Sequence, residues 1–404
     1  MKSKLIALAL FAFTATTVAL FPAFQSVSGI TPIGLPPTDP PVINAGVNDQ
    51  SRIDVVFVLD TTGSMGGPIQ AAKEKIWSIA TTMASAQSAP EIRMGLVAYR
   101  DRCDTYVTRV VDLSSDLDSM YATLMDFQAD GGGDGPESVN QALYDAVHQL
   151  SWSQDSGTYM AVFLVGDAPP HMDYQDDVKY PVTLSAAKDK GIVINTIQCG
   201  QMGTTTPAWK QIARLGDGHY FQVEQAGSAV AIATPFDEKI AGLSEKLDDT
   251  RLYYGSEEDK EKQRRKMKAA DKLHAASSVE SRARRAAFNA SKSGAANFLG
   301  EGELVEEVSS GRVDLSSIDK NQLPEPLQAM APEEQAAVIS ETAERRDELQ
   351  RQINELTQDR SAYLQKKVKE AGGARDSLDN KIYRAVREQA GRLGMSYEAD
   401  TPAY

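Results

Sequence analysis

Short apolar runs alternate with helical hydrophobic patterns over residues 51–240, and this alternation limits the folds that the chain can adopt. Residues 54–60 (Asp-Val-Val-Phe-Val-Leu-Asp) are almost continuously apolar, which is typical of a parallel strand buried on both faces. A following helix with one apolar face is predicted from Ile69, Ala72, Ile76, Ile79 and Met83. Further strands are predicted at residues 92–99, 109–113, 160–165, 191–197 and 219–223, with helices at 139–150 and 236–247. This order predicts an α/β fold with a doubly wound sheet.

Three polar segments are predicted at the carboxyl ends of the strands, where ligands of doubly wound sheets bind. The first, Asp60-Thr61-Thr62-Gly63-Ser64, offers a carboxylate and then hydroxyls two and four residues later. The others are residues 131–137 (Gly-Gly-Gly-Asp-Gly-Pro-Glu) and 165–171 (Val-Gly-Asp-Ala-Pro-Pro-His). Because Mg²⁺ binds about six oxygen ligands, including water, these short oxygen side chains could converge on one ion.

The order of these segments resembles the von Willebrand factor type A domain over about residues 51–240: a strand, DxTGSM, a helix, GGGDxPE, and then a strand with GDAPPH. Asp60, Thr62 and Ser64 match the DxSxS motif of the family's metal-ion-dependent adhesion site, and Asp167 matches the aspartate of its third metal loop. The resemblance implies a six-stranded, mostly parallel, Rossmann-like sheet with a short antiparallel edge strand at 109–113. It also implies that Mg²⁺ or Mn²⁺ keeps an open position for an acidic side chain of a protein partner.

The second loop departs from the family pattern, which usually offers a threonine there. Asp134, within the glycine-rich residues 131–135, could be the ligand instead, either directly or through a water molecule. The alternative is that Asp134 caps the helix that follows. Asp101 and Asp104 are expected at the same edge as a charged rim or in loop hydrogen bonds, and His171 is expected to face solvent.

The sequence predicts no catalytic residues. HExxH and GxxxxGK[ST] are absent, and residues 62–66 lack the first glycine of a G-x-S-x-G elbow. Asp60 and Asp167 could form a carboxylate pair for acid–base chemistry, but a metal would keep both ionised and no third catalytic group is evident. Helix capping by Asp60 alone is the structural alternative. We therefore expect a binding protein, with a metal-dependent hydrolase as a less favoured reading.

Charge and cysteine content exclude further classes. The net charge of -14 argues against a nucleic-acid partner. Two cysteines exclude a disulfide scaffold and a four-cysteine zinc site. With the strand order that the resemblance implies, Cys103 and Cys199 follow strands about 14 Å apart, whereas a disulfide needs Cα atoms within about 7 Å. We expect no bridge, although the loops could still bring the two thiols together.

The N-terminus has the pattern of an export signal. Lys2 and Lys4 precede an uncharged run from Leu5 to Phe24, which predicts a signal peptide over residues 1–28. The run is also long enough for an uncleaved inner-membrane anchor, which is the alternative. The proline-rich residues 29–50 predict an extended linker. These features predict an exported bacterial protein, either periplasmic or secreted.

The charge balance changes near residue 240, which indicates a domain boundary. Residues 51–240 hold 24 acidic and 13 basic residues, whereas residues 241–404 hold 30 and 27. We place the domain that resembles the von Willebrand type at 51–247 and a charged, mostly α-helical region at 248–404. Residues 257–285 predict a solvated helix or helix pair with charge pairs along its surface.

Part of the helical region fits a heptad spacing. Leu349, Ile353, Leu356 and Tyr363 would form a short coiled coil if Arg360 fills the gap in the pattern. Such a helix would serve self-association or the docking of a partner. The alternative is a helical hairpin that packs on itself or on the first domain.

Two functions from different classes follow. In the first, an adhesion or scaffold module of the cell envelope binds an acidic group of a protein through Mg²⁺ or Mn²⁺. The candidate metal ligands are Asp60, Thr62, Ser64, Asp134 and Asp167. In the second, a structural envelope protein assembles through its helical tail, and the metal only stabilises the fold.

Overall fold

A six-stranded sheet forms the centre of the computed structural model, which describes residues 51–133, 135–225, 232–370 and 378–398. Its strands are β1 (Arg52–Asp60), β2 (Glu91–Tyr99), β3 (Thr108–Ser114), β4 (Tyr159–Gly166), β5 (Ile192–Cys199) and β6 (Asp217–Val223). Their order is β3-β2-β1-β4-β5-β6, and only the β2–β3 pair is antiparallel. This confirms the predicted α/β fold with a mostly parallel sheet and an antiparallel edge strand.

The side chains of β1 alternate between hydrophobic clusters on the two faces of the sheet. Phe57 and Leu59 pack with α1 (Gly66–Ala84) and α2 (Leu117–Asp126). Val56 and Val58 pack with the helices of the other face. Those helices are α3 (Val139–His148), α4 (Tyr180–Asp189) and α5 (Thr205–Leu215). Because both faces are covered, almost every position of the strand must be apolar.

The chain beyond the sheet is helical, as predicted. Its helices are α6 (Asp237–Asp248), α7 (Glu257–Ala276), α8 (Val279–Asn289), α9 (Ala295–Leu299), α10 (Leu304–Ser309), α11 (Glu325–Gln328), α12 (Pro332–Glu370) and α13 (Leu378–Gly391). Within the described ranges, no helix combines the length and apolar character needed to cross a membrane. The predicted signal peptide and linker, residues 1–50, lie outside these ranges.

Helix α13 packs into the core of the sheet, although it follows the last strand by more than 150 residues. Ile382 and Val386 join the same buried cluster as Phe57 and the helices α1 and α2. Gln389 donates a hydrogen bond from Nε2 to Oδ1 of Asn195 on β5, at 2.8 Å, and its Oε1 accepts one from the hydroxyl of Tyr159, at 2.6 Å. The core of the sheet therefore contains residues from both sides of the predicted boundary at 247.

Helix α8 differs from the solvated helix that its charges predict. Arg285 is fully buried and contacts two carboxylates: Asp118 of α2 at 2.6 Å and Asp248 of α6 at 2.7 Å. Alanine and phenylalanine side chains of α8 are buried beside it. The predicted helix pair is present as α7 and α8. Only the solvation expected for its second helix was wrong, because a count of charges does not show whether oppositely charged groups come together in space.

The predicted heptad face of α12 is covered within the chain. Leu349 and Ile353 are buried against Ile240 and Leu243 of α6 and Ala283 of α8. These side chains are used to dock the long helix against its neighbours. The helical region therefore packs both on itself and on the helices of the sheet.

Candidate metal centre

The loop after β1 brings three oxygen-bearing side chains together. Oδ1 of Asp60 accepts hydrogen bonds from the backbone N–H of Thr62, at 2.9 Å, and from its hydroxyl, at 2.6 Å. Oγ of Ser64 lies 3.5 Å from Oγ1 of Thr62. The backbone N–H of Gly63 donates to the carbonyl of Gly131, at 3.2 Å, which ties this turn to the second loop. Asp60, Thr62 and Ser64 thus lie within one turn, as the sequence predicts.

Asp60 is completely buried, and only one of its carboxylate oxygens is hydrogen-bonded. Oδ2 has no hydrogen-bond partner in the described part of the chain. Burial raises the pKa of Asp60 to about 7, and the negative charge of Asp167 adds to this effect. A buried carboxylate oxygen without a partner is costly, so this atom is suited to a cation.

The space beside Asp60 depends on a glycine and a tyrosine. A Cβ atom at Gly166 would lie 2.5 Å from the hydroxyl oxygen of Tyr99 and 3.0 Å from Cβ of Asp60. Only glycine fits at this position without a shift of its neighbours. The hydroxyl of Tyr99 is also buried, and among the described residues it has no hydrogen-bond partner. Burial, followed by the charges of Asp60 and Glu137, raises the pKa of Tyr99 well above its ordinary value.

Asp167 follows β4 and faces the same site. Its Oδ2 accepts a hydrogen bond of 2.8 Å from the side-chain amide of Gln225, which also donates to the carbonyl of Ser64, at 3.2 Å. The backbone carbonyl of Asp167 accepts a bond of 2.8 Å from the hydroxyl of Thr205. Asp167 is therefore held from two sides, at the edge that the sequence predicts.

Glu137 is a further carboxylate at this edge that the sequence analysis did not assign to the site. A Cβ atom at Gly132 would lie 3.3 Å from Oε1 of Glu137 and 3.4 Å from Cβ of Thr62, so both side chains flank this glycine. Burial raises the pKa of Glu137 to about 9, and the charge of Asp60 is the next largest cause. The only sequence signal was its place in the Gly-Pro-Glu that ends the second loop.

The other predicted acidic residues have different positions. Asp134 lies outside the described residues, so its two predicted roles stay predictions. Asp104 accepts hydrogen bonds from the backbone N–H of Gly132 at 3.0 and 3.2 Å. Asp101 accepts from the hydroxyls of Ser138, at 3.0 Å, and Tyr174, at 2.9 Å. These contacts agree with the expected role of Asp101 and Asp104 in loop hydrogen bonds.

His171 is buried, in contrast to its expected exposure. Its ring stacks on Tyr174, with 4.0 Å between the ring centroids. Nδ1 lies 2.8 Å from Oδ1 of Asp173, and Nε2 lies 3.4 Å from Oδ2 of Asp101. The prediction failed because the loop after β4 is held against the second loop, where the backbone N–H of His171 donates to the carbonyl of Glu137, at 3.0 Å.

Cys103 and Cys199 are both free, as expected from their strands. Cys103 is exposed in the loop after β2, and Cys199 is buried at the end of β5. Burial raises the pKa of the Cys199 thiol, and the charges of Asp167 and Asp60 add to this effect. Cys199 therefore stays protonated.

The oxygen atoms at this edge fit a hard divalent cation. Carboxylates of Asp60 and Asp167 and hydroxyls of Thr62 and Ser64 are the oxygen donors that Mg²⁺ and Mn²⁺ accept. No three His, Cys, Asp or Glu side chains of the described ranges are grouped so that they alone could hold a metal. The hydroxyls, and water, would therefore have to complete the coordination. When bound, such an ion would supply a local positive charge with positions open to oxygen ligands.

A comparison with protein families supports the resemblance to the von Willebrand factor type A domain. Residues 54–234 match the family model described as the von Willebrand factor A domain. This supports an A domain in that part of the chain. The match lies inside residues 51–247, the range expected from the sequence.

Two curated proteins share similarity with part of the chain. The putative ariadne-like RING finger protein R811 of Acanthamoeba polyphaga mimivirus is 29% identical over 128 residues, which cover 31% of this chain and 12% of that protein. The alpha-protein kinase vwkA of Dictyostelium discoideum is 28% identical over 125 residues, covering 30% of this chain and 19% of the kinase. The similarity thus spans less than a fifth of either relative.

Solved structures also share some similarity with the chain. Proximal thread matrix protein 1 of the mussel byssus, in a form with a zinc-occupied MIDAS motif, is 18% identical, with a TM-score of 0.34, and the match covers 43% of this chain and 42% of that one. The SpRpn10 VWA domain is 15% identical, with a TM-score of 0.33, and the match covers 43% of this chain and 88% of that one.

Proposed function

We propose that this A domain is a divalent-metal-dependent module for binding proteins. Asp60, Thr62, Ser64 and Asp167 would hold Mg²⁺ or Mn²⁺, and Asp134 would add an oxygen directly or through water. The observation that carries the proposal is the buried Oδ2 of Asp60, which lacks a hydrogen-bond partner among the described residues, while Oδ1 accepts from the hydroxyl of Thr62 and the hydroxyl of Ser64 lies 3.5 Å from that of Thr62.

The electrostatics of the edge explain why such binding would depend on a metal. Burial is the main reason why the pKa values of Asp60 and Glu137 are raised, and the negative charge of Asp167 adds to the effect at both. Without a cation, this edge would repel the acidic side chain of a partner. A bound divalent ion would reverse the local charge and offer a directed contact.

The cellular setting in the proposal comes from the sequence. The export-signal pattern predicted at residues 1–28 supports a location in the cell envelope, either periplasmic or secreted, with an uncleaved inner-membrane anchor as the alternative. The module has no catalytic role in this proposal. Assembly through the helical tail stays a separate hypothesis.

The proposal is tested by thermal unfolding and by peptide selection with the full chain. Mg²⁺ or Mn²⁺ at about 100 times its Kd should stabilise the protein by about 2.7 kcal/mol relative to EDTA, and Asp60→Ala should remove this gain. A random peptide library displayed on phage and selected in Mg²⁺ should yield peptides that bind through an acidic residue.

Two controls separate metal binding from partner binding. Replacing the acidic residue of a selected peptide by its amide should abolish binding, as should EDTA or Asp167→Ala in the protein. If the selected peptides bind equally well in EDTA and to Asp167→Ala, the proposal is wrong. A protein whose unfolding does not respond to either metal would also contradict it.

A further inference from the structure

We infer that Gln225 is a positioning residue of the candidate metal centre, where its side-chain amide holds Asp167 and the loop after β1 in the arrangement that binds the ion. The inference rests on the proposed function and adds a residue to the same site. Gln225 itself does not contact the ion in this arrangement, because it acts through the carboxylate of Asp167. It lies outside the three polar segments that were recognised in the sequence.

The amide group of Gln225 joins two segments of the site. Its Nε2 donates to Oδ2 of Asp167, at 2.8 Å, and to the backbone carbonyl of Ser64, at 3.2 Å. Asp167 follows β4, whereas Ser64 belongs to the loop after β1. One amide group therefore connects the two segments that supply the candidate ligands, although it lies 58 and 161 residues away from them in the chain.

The backbone at Gly200 leaves room for this side chain. Gly200 has a φ of 72°, in the region that favours glycine. A Cβ atom at this position would clash with Oε1 of Gln225, so any other residue would displace the amide group. The N–H of Gly200 donates to the carbonyl of Val223, at 2.9 Å, two residues before Gln225. The ends of β5 and β6 are thus fixed together in a way that accommodates the glutamine side chain.

A neutral amide is chemically suited to this role. It holds the carboxylate of Asp167 by a hydrogen bond without a positive charge that would repel a divalent ion. Since Oδ2 accepts from Gln225, Oδ1 is the oxygen left for the ion. Carboxylate ligands of metal sites are commonly held by such hydrogen bonds, and the loss of a partner of this kind costs about 10- to 100-fold in metal affinity.

Gln222 offers a matched control on the same strand. Its side chain is also exposed, and its Nε2 donates to the backbone carbonyl of Gly200, at 2.7 Å. Gln222→Met therefore removes an amide contact between the ends of β5 and β6 but leaves the hydrogen bond to Asp167 in place. If Gln225 only tied loops together, the two substitutions would have similar consequences.

Mn²⁺ is the probe for the test, because it reports both affinity and bound water. Titration followed by electron paramagnetic resonance gives its Kd, and the relaxation of water protons reports the water bound to it. Gln225→Met keeps the length of an exposed side chain but removes the donor, so the protein should still fold, which urea unfolding in EDTA verifies. The variant should bind Mn²⁺ about 10-fold more weakly.

The relaxation of water protons distinguishes positioning from a merely structural contact. In Gln225→Met, the relaxation rate per bound Mn²⁺ should rise, because water takes the place of an oxygen of Asp167 that is no longer held. Gln222→Met should change neither the Kd of Mn²⁺ nor this rate.

A double-mutant cycle tests whether Gln225 acts through Asp167. Asp167→Asn should weaken Mn²⁺ binding by itself, and the addition of Gln225→Met should then cause a further loss of no more than about 2-fold, because no carboxylate is left to position. A further loss of about 10-fold would show that the two residues act independently, and it would overturn the inference.

The remaining outcomes separate the inference from the proposed function. An unchanged Kd and relaxation rate in Gln225→Met, or equal losses in Gln222→Met, would overturn the inference. In that case, Mn²⁺ binding that is still lost in Asp60→Ala would leave the proposed function standing. No Mn²⁺ binding by the unmodified protein would overturn both.

Discussion

Two groups of buried carboxylates in this chain have opposite electrostatic surroundings. At the junction of the helical region with the sheet, Asp118 and Asp248 both contact Arg285. At the candidate metal centre, the charges that act on Asp60 and Glu137 are those of other carboxylates. Arg285 neutralises the first group within the fold, whereas the second group is suited to a cation bound from solution. The difference separates a structural cluster from a candidate binding site.

The pKa values express the same contrast. Burial alone would raise the pKa of Asp118, but the charge of Arg285 lowers it below its ordinary value, and Asp248 is lowered in the same way. Burial raises the pKa of Asp60 to about 7, since no cation opposes it. Burial and neighbouring carboxylates likewise raise that of Glu137 to about 9.

The largest expected effect comes from removing the cation of the structural cluster. Arg285→Met keeps most of the side-chain volume but leaves Asp118 buried without its guanidinium partner, whereas Asp248 keeps the guanidinium of Arg251 at 3.2 Å. Removing one member of a buried ion pair costs about 3–5 kcal/mol. Urea unfolding should therefore show a fall in the free energy of unfolding of that size.

The matched control is an arginine whose ion pairs are exposed. Arg351 contacts Glu348 and Glu355 on the surface of α12. Arg351→Met should leave the free energy of unfolding unchanged within error, because exposed ion pairs contribute little. Equal effects of the two substitutions would contradict the contrast between buried and exposed pairs.

The second effect is the pH dependence of the metal-free protein. Asp60 has a pKa of about 7 in the folded state, compared with 3.8 for the ordinary group, so the folded protein binds the proton more tightly. The contribution of this group to stability is complete below about pH 4, decreases above that pH, and is lost as the pH rises through 7. In EDTA, the contribution of Asp60 to the free energy of unfolding should fall by about 2 kcal/mol between pH 5 and pH 8, and the raised pKa of Glu137 should add a fall of the same sign.

Asp118 has the opposite sign, which allows the two regions to be distinguished. Its lowered pKa means that its contribution is present above about pH 4 and is lost on acidification. Urea unfolding in EDTA at several pH values should show the fall toward pH 8 in the unmodified protein but a smaller one in Asp60→Asn. An equal fall in both would show that Asp60 is not the group responsible.

The local parts of the structure could be predicted from the sequence. The strands were recognisable because burial on both faces demands apolar residues at nearly every position. Asp60, Thr62 and Ser64 were recognisable because they lie within five residues of one another. Asp167 was placed by the same rule, since it follows a second buried strand.

The missed features depend on contacts between distant segments. Glu137 reaches the site because its backbone pairs with Pro170 of another loop. Helix α13 has an apolar face that requires a partner, but its sequence does not specify the sheet as that partner. Arg285 looked solvated because its two carboxylates lie 167 and 37 residues away in the chain. Local patterns do not contain this information.

The smallest expected effect tests whether the buried carboxylate of Asp60 at the candidate metal centre lowers the stability of the metal-free protein. Asp60→Asn removes the uncompensated charge, and the amide oxygen can still accept the bonds from Thr62. In EDTA at pH 8, the variant should be more stable than the unmodified protein by about 1 kcal/mol, since an unpaired buried charge is removed. In saturating Mg²⁺ the order should reverse, because only the unmodified protein gains from the ion.

Chemical unfolding in both buffers measures the two differences, and the corresponding change at the structural cluster, Asp118→Asn, should destabilise the protein in both. A loss of stability of Asp60→Asn in EDTA would mean that its carboxylate is structural in the same sense as Asp118, and the contrast between the two regions would fail.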